Sequence, residues 1–327
     1  LPIGAGSTDC GDLEPRFAKL VAHKFATGTS TWVQQDLAEN HGRKVARSYL
    51  QNLAEAVGSV AQAKEETWHY ETPKLNTLVK TVAIGMDGTC MLVCEQGYRE
   101  AMTGTLALYD CQGERQHTLY LGATPAYGKA RFFERMAREI GHLKHLYPKA
   151  TYVGIADGAK ANWEFLKQHT TTQVLDFYHA AGYLADAALC AFPERATDCA
   201  QWLEERCHDL KHNQGAASRI LKELEGLRAK PLSESMREKL ESAITYFRNH
   251  KHQMHYARYH AQHLPIGSGV TEAACKTLVK QRLCRSRMKW REKGASLVLT
   301  LRALVLTKDR WKQFWSKINH YGFPLAA

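Results

Sequence analysis

The stretch "LVKTVAIGMDGT", Leu78–Thr89, decides how the rest of the chain is read. Its apolar run "VAIGM" stops at Asp87-Gly88-Thr89. A short apolar run closed by a turn signal reads as a buried strand. The same design returns at "ATYVGIADGAK", Ala150–Lys160, where "YVGIA" stops at Asp157-Gly158. Asp-Gly is common in turns, so one such site needs no function. Two of them, each closing a buried strand, put carboxylates where the crevices of α/β sheets open.

The segments around these two complete a sheet. "AMTGTLALYD", Ala101–Asp110, alternates and reads as a second strand. "ERQHTLYLG", Glu114–Gly122, reads as a third, with Gln112-Gly113 in the hairpin turn between them. "YGKARFFERMAREIGHLKHL" is an amphipathic helix with Phe132, Met136, Ile140 and Leu143 on one face. After the fourth strand, ending at Asp157, comes a helix over Ala161–Gln168. "TTQVLDFYH" is then a fifth, short strand ending at Asp176. Tight turns between the first three strands imply an antiparallel meander. Strands alternating with helices imply parallel addition to the same sheet. That is the strand order of a ribonuclease H-like fold. The expected class is therefore α/β, a mixed-sheet core with helices on both faces.

Helices flank this core. In "EPRFAKLVAHKFA", Phe17, Leu20, Val21 and Phe25 fall at helical spacing. "STWVQQDLAENHGRKVARSYLQNLAEAVG" predicts a helix near Val33–Glu39, a stop at Asn40-His41-Gly42 and a second helix near Lys44–Val57. This pair reads equally as a helix-turn-helix or as an ordinary helical hairpin. In the first case Arg43, Lys44 and Arg47 suit phosphate contact. "AKEETWHYETPKLN" reads as a linker. From His179 to about Gln262 the pattern is helical and charged, an all-helical insertion, and basic helices follow to the end. The expected divisions are a helical DNA-binding region over 1–78, a first core part over 79–188, the insertion over 189–263, and core completion over 264–327.

Composition fits this plan. The 327 residues are 44% apolar, so a sizeable core can form. The net charge of +11 favours a polyanionic partner, nucleic acid being the commonest. Nine cysteines without a CxxC pair argue against a structural zinc site or a disulfide framework, and for reduced thiols of a cytoplasmic protein. No apolar run reaches transmembrane length, and no signal peptide is legible. The opening Leu1 suggests a fragment or a processed product.

"LPIGSGVTEAACK", Leu264–Lys276, holds one carboxylate, Glu272, just after Gly267-Ser268-Gly269. A turn capped by Ser268 or Gly269, with Glu272 favouring the helix dipole or pairing with Lys276, needs no function. Those glycines would also let the helix begin close to the sheet, with small Ala273 and Ala274 leaving room for DNA. Glu272 then joins Asp87 and Asp157. Three converging acids repel one another. Divalent ions with oxygen ligands relieve that, and two such ions support phosphoryl transfer.

"GMDGT", "GIADGAKANW", "LDFYHAAGYL", "PIGSGVTEAACK" and "RLCRSRMKWREKGA" occur in this order across most of 79–327. The chain resembles DDE transposases of bacterial insertion sequences, most closely the ISKra4-type family. The resemblance implies that Asp87, Asp157 and Glu272 are the catalytic acids and metal ligands, holding two Mg²⁺ or Mn²⁺ ions. It implies an all-helical insertion between the second and third acids and an N-terminal region that binds the element's ends. It further implies double-stranded DNA partners, namely terminal repeats and target, a homodimer or higher oligomer in the synaptic complex, no membrane, and a place in the bacterial cytoplasm at the nucleoid. Asp176 and His179 match an auxiliary Asp/Cys-to-His pair. They either position DNA near the scissile phosphate or form a structural pair at a strand end.

Lys276, Lys280, Arg282, Arg285, Arg287 and Lys289 form a basic run that reads as a phosphate-binding rim beside the acids. Trp290 either stacks beside a base or packs. The histidines of "NHKHQMHYARYHAQH", His252 and His255 among them, sit with Lys251 and Arg258, which disfavours a metal site. Tyr246, Phe247, Tyr256 and Tyr259 read as core. Two competing readings are a ribonuclease H-like nuclease without strand transfer and a DNA-binding regulator with an inactive core. The intact acids argue against the regulator.

Overall fold

The computed structural model describes residues 15–285 and 288–322. At its centre is a sheet of β1 (Thr81–Val93), β2 (Gly97–Tyr109), β3 (Arg115–Ala123), β4 (Thr151–Ala156) and β5 (Thr172–Leu175), in the order β3-β2-β1-β4-β5. β1–β2 and β2–β3 are antiparallel, while β1–β4 and β4–β5 are parallel. The chain is thus α/β with a mixed sheet, as the turn and crossover pattern requires. The hairpin turn expected at Gln112-Gly113 is present, with Gly113 at φ +81° and Asp110 Oδ1 accepting from Gln112 N (3.0 Å) and Glu114 N (2.9 Å).

β1 corrects one expectation. It does not stop at Asp87-Gly88-Thr89 but runs on to Val93, because β2 stays paired with it as far as Val93↔Gly97. The parallel neighbour β4 drops out much sooner, at Gly85↔Ile155. Asp87 therefore lies beyond the end of β4 although it is inside β1.

The helices are α1 (Pro15–Thr27), α2 (Ser30–His41), α3 (Arg47–Ala63), α4 (Lys129–Leu146), α5 (Lys160–His169), α6 (Phe177–Ala191), α7 (Ala196–His212), α8 (Ala216–Gly226), α9 (Glu234–His250) and α10 (Tyr256–Ala261). They continue with α11 (Gly269–Ala274), a π-helical turn over Cys275–Lys280, α12 (Gln281–Leu283), α13 (Glu292–Leu306) and α14 (Arg310–Tyr321). No helix among the described residues is long and apolar enough to cross a membrane. α2 ends on Gly42 in the left-handed region (φ 60°), whose N–H returns to Leu37 O. α3 starts at Arg47, so Arg43 and Lys44 lie in the connector rather than on the second helix.

Two apolar clusters result. One joins the sheet to α4–α10, including buried Phe132, Met136, Ile140, Phe247, Tyr256 and Tyr259. The other joins α1–α3 to α13, α14 and the end of β1. The N-terminal helices thus share a core with the C-terminal ones. Two buried arginines bind that seam. Arg282 donates from Nε and Nη2 to Phe25 O (3.2 Å each), and Arg302 donates to Ala26 O (2.5 Å), Leu278 O (2.8 Å) and Thr277 O. Phe25 O and Ala26 O, at the end of α1, lack helical partners and carry the negative end of its dipole, which favours cations there. The segment read as a linker is strapped down too. Glu71 and Gln313 exchange two hydrogen bonds (2.7 and 2.8 Å), and the Trp68 ring stacks on Tyr321 at 6.0 Å.

α11 lies directly on the sheet. Thr271 Oγ1 meets Thr105 Oγ1 of β2 at 2.7 Å in a buried contact. A Cβ at Gly85 would stand 2.1 Å from Thr271 Oγ1 and 3.2 Å from Thr105 Oγ1. The close approach of α11 to the sheet is therefore permitted by Gly85 on the strand; a Cβ at Gly267 would press on the Tyr178 ring (2.8 Å) of α6 rather than on the sheet, and one at Gly269 would meet nothing within 4 Å. Gly85→Ala should destabilise the fold by about 1–3 kcal/mol, the usual cost of overpacking. Equilibrium urea unfolding measures this, and an unchanged midpoint would show that α11 does not rest on position 85.

Candidate active site

Asp87 reaches the site from the middle of β1. Its Oδ1 accepts from Gly88 N (2.7 Å), and its Oδ2 lies 3.6 Å from Cys275 Sγ in the π-helical turn after α11. Burial pushes the Cys275 thiol up to about 12, so it stays protonated and acts as a weak donor. The Asp87 carboxyl is itself raised above the ordinary 3.8, first by burial and then by the charges of Asp157 and Glu272. Asp87 thus lies within electrostatic reach of both other acids expected from the sequence.

Asp157 follows the last residue of β4, on the strand next to β1. Its Oδ1 accepts from Ala159 N at 3.3 Å, and its main-chain oxygen accepts from Tyr246 Oη of α9 at 2.8 Å. Gly158 is required by its backbone, whose φ of +124° few L side chains adopt, and a Cβ there would make ordinary contact with His250 Nε2 (3.4 Å) and Tyr246 Cε2 (3.5 Å) of α9. Burial raises the Tyr246 phenol well above its usual value, so it remains a donor. Tyr246 also stacks on Tyr183 at 4.0 Å. The helical insertion thus reaches back to the second acid through Tyr246 and His250. Helical spacing placed Tyr246 in the core beside Phe247, and nothing local in the sequence separates the two.

Glu272 is exposed on α11, and with Asp87 it lines one open cleft of about 750 Å³ that also takes in Gly88, Thr89, Lys276 and Lys280. Among the described residues none of the three acids forms an ion pair with a basic side chain. Hard oxygen donors with uncompensated charge fit a divalent cation such as Mg²⁺ or Mn²⁺. The side chains do not all converge, however. The group whose ligand atoms lie within 4.8 Å of one another is Asp176, His179 and Glu272. Glu272 is turned toward Ser268, whose Oγ lies 2.8 Å from its Oε1.

Asp176 is completely buried at the end of β5 and caps α6. It accepts from Tyr178 N (2.6 Å), His179 N (3.1 Å), Ser268 N (2.7 Å) and Ser268 Oγ. With its lone pairs taken by donors it is a structural anchor. It holds His179 through the main chain, and the exposed imidazole stays within 4.8 Å of the Glu272 carboxylate. Among the described residues no metal-ligating group forms around His252 and His255.

The basic rim divides. Lys276, Lys280, Arg285 and Lys289 are exposed, as are Arg43, Lys44 and Arg47 near the N-terminal helices. Arg282 is a correction. It is 1% exposed, tied to Phe25 O, and held between the Phe25 ring (5.3 Å) and the Trp290 ring (5.1 Å), so it cannot reach DNA. Trp290 packs: its indole donates to Leu283 O (2.9 Å), and its backbone bridges to Leu92 O (3.1 Å) and Cys94 N (2.8 Å). Arg287 lies outside the described residues. No protein-family model matches the chain, and no curated protein matches it significantly.

Two outcomes follow from this geometry. Because the folded state raises the Asp87 pKa, its contribution to stability is full below the unfolded value of 3.8 and is lost as pH rises through the raised folded value. Asp87→Asn should therefore raise the thermal midpoint at pH 7, and the gain should fade as the pH falls toward 3.8. Mn²⁺ should raise the midpoint of the wild type and not of this variant. Calorimetry at several pH values checks both. Separately, Arg282→Ala should cost about 1–3 kcal/mol by stranding a buried carbonyl, while Lys289→Ala should be near neutral in urea unfolding.

Proposed function

We propose that this chain is a metal-dependent DNA transposase with a ribonuclease H-like core, in which Asp87, Asp157 and Glu272 are the acids of the reaction centre. One observation carries the reading. Asp87 and Asp157 come from adjacent parallel strands, level with the end of β4, Glu272 lines the cleft with Asp87, and among the described residues all three lack a basic ion-pair partner. The strand order β3-β2-β1-β4-β5 is that of ribonuclease H-like enzymes and supports the same assignment.

Asp87, Asp157 and Glu272 would hold the ions, which when bound supply charge neutralisation and polarise the reacting oxygens. The chain's own residues do the rest. Gly88 N–H and the Cys275 thiol fix the Asp87 carboxylate, and Tyr246 fixes the main chain at Asp157. Lys276 and Lys280 line the cleft beside the acids, where they would hold the phosphates flanking the scissile bond. In the first step water attacks phosphorus and the bond to the 3′-oxygen breaks, leaving a 3′-hydroxyl and a 5′-phosphate. In the second, that hydroxyl attacks a target phosphodiester, a new P–O bond forms, and the target's own 3′-oxygen departs with the proton. Pairing two ends for this joining requires a homodimer or higher oligomer. The exposed Arg43, Lys44 and Arg47 are the phosphate contacts assigned to the N-terminal region.

Asp87→Asn, Asp157→Asn and Glu272→Gln should each reduce cleavage and joining by about a thousandfold, some 4 kcal/mol of transition-state stabilisation. DNA binding should persist, since removing a negative charge cannot weaken attraction to DNA. Labelled duplexes carrying the element's ends, assayed with Mg²⁺ or Mn²⁺, measure both; a folded Glu272→Gln protein that joins DNA at the wild-type rate would remove that residue from the centre. Lys276→Ala and Lys280→Ala should each flatten the salt dependence of binding by about 0.9 in slope for every sequence tested. A sequence-selective loss would make them base readers instead.

A further inference from the structure

Glu272 is an exposed glutamate near the start of a short helix, and such a side chain samples several rotamers unless a neighbour holds it. Ser268 is that neighbour. It occupies the position before the first residue of α11, where a serine hydroxyl ordinarily bonds a helix N–H, yet its hydroxyl makes no such bond. Instead Oγ sits between two carboxylates, Asp176 Oδ2 and Glu272 Oε1, the latter at 2.8 Å.

A hydroxyl has a single proton, so its two acceptors are not served equally. Asp176 already receives three main-chain N–H groups, from Tyr178, His179 and Ser268 itself. Glu272 has no other protein donor among the described residues. The hydroxyl is therefore shared, bridging Asp176 to Glu272, and it is the one side-chain donor Glu272 has among the described residues. Asp176, fully buried, serves to fix where Ser268 stands, and the bond from Phe177 N to Ile266 O (3.0 Å) ties the same loop to α6. The line of support runs from the end of β5 through Asp176 and Ser268 to one oxygen of Glu272.

We propose that Ser268 is a positioning residue for Glu272, set in place by the buried Asp176, so that the third acid is held before a cation arrives. This rests on the reading of Glu272 as a metal ligand. Ser268→Ala removes the hydroxyl but keeps the backbone N–H that Asp176 holds, and it sacrifices no helix cap. Ser268→Thr keeps the hydroxyl. The probe is Mn²⁺ alone, its free concentration followed by electron paramagnetic resonance with the full chain and no DNA. Ser268→Ala should bind Mn²⁺ about tenfold more weakly, equivalent to about 1.4 kcal/mol. Ser268→Thr should stay close to the wild type in Mn²⁺ affinity and thermal unfolding, Ser268→Ala should remain folded with at most a small drop in midpoint from the lost bond to Asp176, and DNA affinity should be unchanged in both. In cleavage assays Ser268→Ala should need more Mn²⁺ for half-maximal rate yet approach the wild-type rate at saturation. Wild-type Mn²⁺ affinity in Ser268→Ala, or a Thr variant as impaired as the Ala variant, would overturn the proposal. Undiminished Mn²⁺ binding by Glu272→Gln, or none by the wild type, would instead overturn the metal-ligand reading beneath it.

Discussion

A side chain at position 85 and the helix at Gly269–Ala274 cannot occupy the same space. With glycine there, Thr271 seats its hydroxyl against Thr105 at 2.7 Å, and α11 lies on β1 and β2. That contact puts Glu272 in the same cleft as Asp87. It also brings Cys275 to the Asp87 carboxylate, since the π-helical turn continues straight from α11. The remaining features hold this arrangement at its edges.

Three buried charged side chains hold those edges. Asp176 joins the end of β5, the start of α6 and the loop before α11 through four hydrogen bonds. Arg282 and Arg302 join the end of α1 to the far end of the helical segment that starts with α11. Burying ions is expensive unless their hydrogen bonds are made, and main-chain groups supply nearly all of them here. Burial and the neighbouring Arg302 draw Arg282 down to about 10, which still leaves it charged at neutral pH. A helix pinned at both ends by ions and in the middle by a missing side chain has little freedom to shift.

Much of this was legible in the sequence because it is local. Apolar runs ending in Asp-Gly located Asp87 and Asp157, and turn and crossover lengths gave the order of the strands. What was not legible depends on distant partners. The length of β1 is set by β2, its hairpin mate, which outlasts β4. Arg282 looks like its neighbours Lys280 and Arg285, and only the carbonyl of Phe25, far back in the chain, turns it inward. Ser268 read as a cap, and only Asp176 diverts its hydroxyl. Tyr246 sat in a helical apolar pattern, and its contact with Asp157 needs the insertion folded back onto the sheet.

The central claim is that Asp87, Asp157 and Glu272 form one cation-binding centre for phosphodiester chemistry. Anomalous diffraction from crystals of the protein with Mn²⁺ and a cleaved DNA end tests it most directly. The account predicts Mn²⁺ peaks in contact with the Asp87 and Asp157 carboxylates, one of them shared with Glu272 and a DNA phosphate oxygen. Peaks confined to His252 and His255, or DNA seated away from the cleft with no Mn²⁺ at Asp87 and Asp157, would contradict it.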